Sequence, residues 1–461
     1  MGDAGTDGRS QSSLGPFQFF TIGLGTMLGI AWAIMLGTWL DQAAPLGAVL
    51  GFVIGGLGTI LIAMCYAELA TALPRTGGDV IYILEVFGPR AAFVVGWFLV
   101  LMAISITSFE AISFAWFLGT LFPAIFGDGG AAAHLGVAIQ IVGILAIATV
   151  NYRGARSSAR LQDIFTVAKA GGAATFIIAA IAFGDTANLA PVLTPTNGKP
   201  FLGGALWIAA TAPLWFGGFQ VIPQAIEKRR STTSLRTIGW ITVATVVIGT
   251  IFYSTVVIAG SLALPWQRLV KAPLPAALAI DTVFNGSVIA RIVLAAVVVG
   301  IIAAWNSCFL WATHLLLGMA GNGLLSPAFG EVNRFGAPKT ASIVGAALGL
   351  LGLTLGREGL VPIVDMAAMS LGVSFALCCA ATLRLRRTRP DMDRPFRVPG
   401  GRATMIAALL AAILMAAVSV LDPLLNGEGA PLELMVIGAW CVLGLLLWRA
   451  ARAAPSRPLS N

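Results

Sequence analysis

The chain has 461 residues, of which 58% are hydrophobic and only 10% charged, with a formal net charge of +8. Soluble globular proteins carry about 25% charged residues, so this composition excludes one and describes a chain that crosses a membrane many times. The basic excess needs no nucleic-acid partner, because the retention of Lys and Arg on the cytoplasmic side of a membrane accounts for it.

Residues 1–16 form a polar N-terminal tail carrying Asp3, Asp7 and Arg9. It has neither the cationic start nor the small-residue cleavage site of a secretory leader, so the first hydrophobic segment is expected to remain as a helix. A helix needs about 20 apolar residues to span the hydrocarbon core. By that measure twelve spans follow in order, at 17–39, 46–72, 91–121, 134–150, 161–184 and 203–226, then at 236–264, 287–320, 338–356, 361–383, 402–421 and 431–450. Residues 451–461 form a C-terminal tail. The alternation of a β-barrel is absent. The predicted class is an all-α polytopic membrane protein.

The first span reads FFTIGLGTMLGIAWAIMLG, with Gly23, Gly25 and Gly29 at its middle. Each glycine costs about 1 kcal/mol against alanine inside a helix, so the pattern predicts a break. Span six reads ALWIAATAPLWFGGFQVIPQAIEK, interrupted by Pro213, Gly217, Gly218 and Pro223. Irregular backbone at membrane depth is tolerated only where protein or a water-filled cavity receives its polar groups. Matching breaks in two repeats are the sequence mark of a secondary transporter's binding site. The two breaks are five helices apart, as a five-plus-five inverted repeat requires, with spans one to five (17–184) and six to ten (203–383) as the halves and 402–450 outside them. Either break alone could equally be a kink or a close packing contact.

With the N-terminus placed inside, Lys and Arg gather on the cytoplasmic side. The exceptions are Lys199, Arg268, Lys271, Arg291 and Arg357 outside, and Lys169 within a span. This predicts a multi-pass plasma-membrane protein with both termini cytoplasmic. Cys65, Cys308, Cys378, Cys379 and Cys441 all lie in apolar spans without a CxxC pair, and read as free thiols. No GxxxxGK[ST], HExxH or GxSxG motif occurs, so no enzyme, cofactor or metal centre is expected. Gly23-Leu-Gly25-Thr-Met-Leu-Gly29 has a dinucleotide-like spacing, but lacks the preceding strand that motif needs. His134 and His314 read as structural.

Two ionisable residues lie well inside spans, where such groups are functional candidates. Lys169, in span five, could load and release a proton, since burial disfavours an ammonium, or could snorkel to the interface. Thr313 and Asn306 in span eight are its candidate neighbours, or simply interhelical glue. Glu110, in span three, could bind a proton, pair with a cationic substrate, or bond to Ser105 or Ser113. Glu68 and Glu227 sit near cytoplasmic helix ends as gate or loop contacts. Trp215 and Phe216 flank the second break, either as a lid over a ligand or as packed aromatics.

These segments together resemble the amino acid–polyamine–organocation superfamily of transporters, which has the LeuT fold. IGLGTMLG is similar to the family's substrate loop, and YAELATALPRTGGDVIYI (66–83) to the end of its second helix. NYRGARSSARLQDIFTVAKA (151–170) is similar to the start of its fifth, and WFGGFQVIPQAIEK to its sixth. GMAGNGLLSP (318–327) and RPFRVPGG (394–401) match later loops. Met27 stands where many members have glycine, Glu227 is followed by Lys-Arg-Arg, and His314 stands where arginine is common. These departures bear on the substrate branch and the gate.

The resemblance implies an amino acid carrier working by alternating access, sodium-independent and either proton-coupled or exchanging. It implies that amides of Gly25, Thr26 and Met27 hold a substrate carboxylate, and that carbonyls near Ile22, Gly23, Phe216 and Gly217 hold the ammonium, beside Trp215 and Gly218. It places Lys169 where an ammonium replaces a sodium ion between helices one, five and eight, with Glu110 and Thr313 as further coupling candidates. An organic amine without a carboxylate is the second substrate reading. A channel, or a nutrient sensor that binds without transporting, are readings from other classes.

Overall fold

The computed structural model describes residues 14–29, 31–75, 77–122, 125, 130–154, 159–426 and 431–453. Most of the polar N-terminal tail, Arg156 and the end of the C-terminal tail lie outside the described residues. The described chain is helical, and its only β contacts are isolated bridges at Leu14 with Arg229 and at Val332 with Pro338.

The first span is split into α1 (Pro16–Met27) and the start of α2 (Ala31–Ala72). The second span continues from the first without a loop. Ala44 takes a positive φ of 56°, and Pro45 follows with its fixed φ, so the 42-residue helix turns at that point instead of ending. After α3 (Gly78–Phe87) come α4 (Pro89–Leu121), α5 (Gly130–Tyr152) and α6 (Ala159–Phe183). Span six is α7 (Phe201–Trp215) followed by irregular turns. The remaining long helices are α8 (Leu235–Ala263), α9 (Val288–Gly321), α10 (Lys339–Gly352), α11 (Leu360–Thr388), α12 (Gly401–Asn426) and α13 (Leu432–Ala453). Nine stretches of the described residues are long and apolar enough to cross a membrane, and Val167–Phe183 and Lys339–Leu355 are shorter apolar helices. Two short helices, Trp266–Lys271 and Pro275–Val283, and α3 were not expected from the sequence, because each is too short to show as an apolar span.

Small residues set the inner packing. α2 runs against α7 and α8. A Cβ on Gly51 would meet the Ala205 carbonyl at 2.7 Å, and one on Gly55 the Ala209 carbonyl at 2.6 Å. In lipid there is little hydrophobic drive between helices, so such close backbone approach supplies the contact energy. Around this centre lie Trp39, Phe52, Phe216 and Tyr253, all fully buried. At the periphery α13 meets α4 through a reciprocal pair. Trp97 Nε1 donates to the Trp440 carbonyl at 2.9 Å, Trp440 Nε1 donates to the Trp97 carbonyl at 3.0 Å, and their rings stack at 4.2 Å. All five cysteines are free thiols.

Candidate functional site

Gly23 and Gly25 do not unwind the first helix. α1 stays helical through Met27, because Gly23 serves a close approach: a Cβ there would meet Ile222 at 2.6 Å and Thr245 at 3.3 Å. The Leu28 amide still donates to Leu24 at 2.8 Å. The chain then turns sharply, with the Gly29 amide donating to the Met27 carbonyl at 2.6 Å. The interruption therefore falls at Leu28–Gly29, with Ile30 outside the described residues. Gly25, Thr26 and Met27 occupy the last helical turn. The amides without intrahelical partners are those that open α2, from Ala31 onward.

The second break falls where the sequence places it. Pro213 cannot donate to the Ala209 carbonyl, α7 ends at Trp215, and residues 217–220 form a 3₁₀ turn. The two interrupted segments touch at Gly218. A Cβ there would run into the Gly23 carbonyl and approach the Met27 nitrogen to 2.5 Å. Only glycine allows this contact.

Beside the contact is a cavity of about 630 Å3. Thr26, Met27, Gly29 and Ala31 line it from the first break, and Trp215, Gly217 and Gly218 from the second. Its apolar wall is made by Met102, Ile106, Phe109, Leu214 and Leu371. It continues past Gln220 and Gln224 to Lys228 and His314, at the face where Leu14 pairs with Lys228 and Arg230.

The expected residues divide into three groups. Thr26, Met27, Trp215, Gly217 and Gly218 face the cavity. Ile22, Gly23 and Gly25 lie behind it: the Ile22 carbonyl accepts from Thr26 Oγ1 at 2.9 Å, and the Gly25 carbonyl accepts from Lys169 Nζ at 2.5 Å. Phe216 is a packed aromatic, fully buried against Tyr253 at 5.8 Å, and its carbonyl accepts from the Phe219 amide. Trp215 is the flanking aromatic that reaches the cavity, with its Nε1 unpartnered.

Lys169 thus ties α6 to the last turn of α1, with Gly300 of α9 alongside its stem. Glu110 lines the cavity, is 5% exposed, and has an Oε2 with no hydrogen-bond partner. Ser113 Oγ is also unpartnered, so the expected bond between those two is not made. Cys308 lies within electrostatic reach of both Glu110 and Lys169. Thr313 is not brought to Lys169. It bonds back to Leu310 at 2.9 Å and faces Gly345 of α10, while Asn306, seven residues earlier on the same stripe, accepts from Asn151 of α5. The cavity stripe of α9 is instead Ala304, Ser307, Cys308 and Trp311.

The sequence reading missed two groups. Tyr253 donates to the Met27 carbonyl at 3.2 Å and so caps the break from α8. Its signal was a tyrosine in an apolar span, since a buried hydroxyl needs a partner. Asp79, at the start of α3, accepts on one oxygen from Tyr66 at 2.8 Å, Ser374 at 2.7 Å and Gln220 at 3.2 Å. It joins α2 and α11 to the turn after the second break. Glu68 is a loop anchor, bonded to Arg386 at 2.7 Å and to the Val398 amide at 2.7 Å.

The profile of the family described as Amino acid permease matches residues 14–441. The chain is 25% identical over 422 residues to a branched-chain amino acid permease of Bacillus subtilis, covering 86% of each. It is 26% identical over 407 residues to the methylthioribose transporter of the same organism, covering 84% of each. It is 24% identical over 403 residues to an aspartate-proton symporter, also from that organism, covering 85% of this chain and 76% of the relative. With a match spanning nearly its full length and two interrupted helices meeting beside a cavity, the chain belongs to the amino acid permease family, within the amino acid–polyamine–organocation superfamily.

Proposed function

We propose that the protein is a secondary active carrier that moves amino acids across the plasma membrane by alternating access. In this reading it has no enzymatic chemistry, crosses the membrane twelve times with both termini cytoplasmic, and is built as inverted repeats over 17–184 and 203–383. The observation that carries the proposal is the contact of the two interrupted helices at Gly218 beside the cavity that both of them line. The end of α7 presents the negative pole of its dipole there, and the start of α2 the positive pole. An ammonium and a carboxylate on one α-carbon match those poles, with the carboxylate at the opening turn of α2 from Ala31, because the amides of the expected Gly25, Thr26 and Met27 lie within α1 and that of Gly29 is given to Met27. The ammonium falls to Gly217 and its neighbours, and Trp215 and Gly218 close the walls.

The apolar wall suits an aliphatic side chain, and one relative is named as a branched-chain permease. Leucine is therefore the first probe. The Lys169 bond to the substrate helix supports coupling without sodium, by a proton or by exchange, and Glu110 is a second coupling candidate. Thr313, facing α10, is the weaker third.

The test is a thermal-shift screen of the purified protein with amino acids and their decarboxylated amines, since ligands of the folded state raise its stability. It is followed by uptake and counterflow in liposomes. Equal binding of leucine and isoamylamine sinks the carboxylate assignment in favour of an organic amine. Binding without flux points to a sensor, and single-channel currents to a channel.

A further inference from the structure

Residues 389–400 leave α11 and lead into α12 as a loop fastened from beneath. Arg394, whose side chain is 5% exposed, donates to the carbonyls of Leu385, Arg389, Pro390 and Met392. Its Nε lies 3.6 Å from Glu68 Oε1, an ion-pair distance without a hydrogen bond. Glu68 is already engaged by Arg386. One carboxylate thus faces two guanidinium groups.

Above the loop is a second cavity of about 340 Å3, lined by Arg236, Trp240, Arg394, Pro395, Phe396 and Arg397 among others. Arg236 and Arg397 are exposed, and among the described residues neither is paired with a carboxylate. Arg397 is close enough to Arg394 to repel it. Arg236 sits in the first turn of α8, whose N-terminal dipole also disfavours a cation. The cluster is held together against its own electrostatics. Its floor is apolar and built closely: Phe396 packs edge-on over Trp240 at 5.3 Å, and a Cβ on Gly239 would meet that ring at 2.6 Å. Trp240 is 45% exposed, as an indole at the membrane–water boundary is.

We propose that this pocket is a phosphate-binding site at the membrane surface, clamped by Arg236 and Arg397. Planar guanidinium groups bond phosphate oxygens in pairs, and basic pockets between helices at this depth take anionic headgroups. An occupant pins the start of α8 to the loop before α12. A phospholipid headgroup and free orthophosphate share this chemistry, and the experiment separates them.

Full-length protein in neutral detergent at 0.15 M salt, a common ionic strength of roughly physiological value, is titrated with phosphatidylglycerol, phosphatidylcholine and inorganic phosphate. Binding is read by native mass spectrometry and by thermal stability. Phosphatidylglycerol is expected to bind and stabilise, and phosphatidylcholine is not. Arg236→Gln with Arg397→Gln is expected to weaken phosphatidylglycerol about 30-fold. Arg387→Gln, an exposed arginine outside the pocket, should stay within about threefold. Saturation by inorganic phosphate alone identifies a soluble source, and binding of the lipid alone identifies the headgroup. The proposal is overturned if neither phosphate species binds, if the double variant binds unchanged, or if Arg387→Gln weakens binding equally. Single Arg397→Gln, expected to be about fivefold weaker, repeats the test if the double variant does not purify.

Discussion

Replacing Lys169 with methionine keeps the stem and removes the charge. The structure fixes what is lost: one bond of 2.5 Å from Nζ to the Gly25 carbonyl, joining α6 to the turn beside the first break. A hydrogen bond to a charged group contributes about 1.5–3 kcal/mol. Holding a lysine charge at this depth costs about 2.5–3.5 kcal/mol on insertion scales. The two nearly cancel, so Lys169→Met should fold and unfold within a few degrees of the parent. On the proposed alternating-access reading transport is different, because the bond then biases only those states in which α1 lies against α6. Removing it from one of two states shifts their ratio by about tenfold to 150-fold. Leucine uptake should fall by at least tenfold, while leucine binding changes by less than threefold. The ammonium is the stronger donor, so the tie holds at lower pH and loosens as Lys169 loses its proton. Uptake by the parent should therefore change with pH, and uptake by Lys169→Met should not. Lys169→Arg keeps the charge but does not deprotonate, so it should also be flat. Uptake against external pH in liposomes decides the matter. A Lys169→Met protein with the parental rate and pH profile would refute the coupling role and leave Lys169 as a packing residue.

Four other outcomes are expected. Gly218→Ala inserts a methyl where the Gly23 carbonyl and Met27 nitrogen already stand, at a cost of about 1–3 kcal/mol; leucine-induced thermal stabilisation should weaken at least tenfold. Glu110→Gln is isosteric, so leucine binding should stay within about threefold (less than 1 kcal/mol), and a proton role predicts that a component of the pH dependence of uptake disappears; an unchanged profile assigns Glu110 to the cavity wall. Asp79→Ala leaves the Tyr66, Ser374 and Gln220 donors without their acceptor; at about 1–3 kcal/mol for each unsatisfied group, thermal unfolding should drop by several degrees. Leucine uptake should persist when choline replaces sodium, and strict sodium dependence would remove Lys169 from its proposed place.

What the sequence shows clearly is whatever repeats locally. The apolar runs mark the long helices to within a few residues, because each span is a continuous stretch and lipid leaves few alternatives. The second break is legible because Pro213 removes a donor wherever it stands. The first is displaced: glycine permits unwinding but does not force it, and Gly23 remains helical because Ile222, nearly 200 positions away, needs the space. Lys169 is legible because a charge in a span must find a polar partner. Thr313 is not, because helical rotation separates its stripe from the cavity stripe of Ser307 and Trp311, and sequence proximity hides the difference. Tyr253 and Asp79 act through contacts across 226 and 295 positions, which no local pattern reveals.

The reciprocal tryptophan pair between α4 and α13 has a consequence for how the protein is made. α13 is the last described helix to leave the ribosome and one of the least enclosed. Until it arrives, the Trp97 N–H lacks the acceptor it has in the folded structure, and so does the Trp440 N–H. Within hydrocarbon an unpaired indole N–H has no water to bond to. Each supplies the acceptor the other lacks, so docking of α13 against α4 satisfies both N–H groups in one step. A nascent chain stalled before Trp440 leaves the Trp97 N–H without that acceptor.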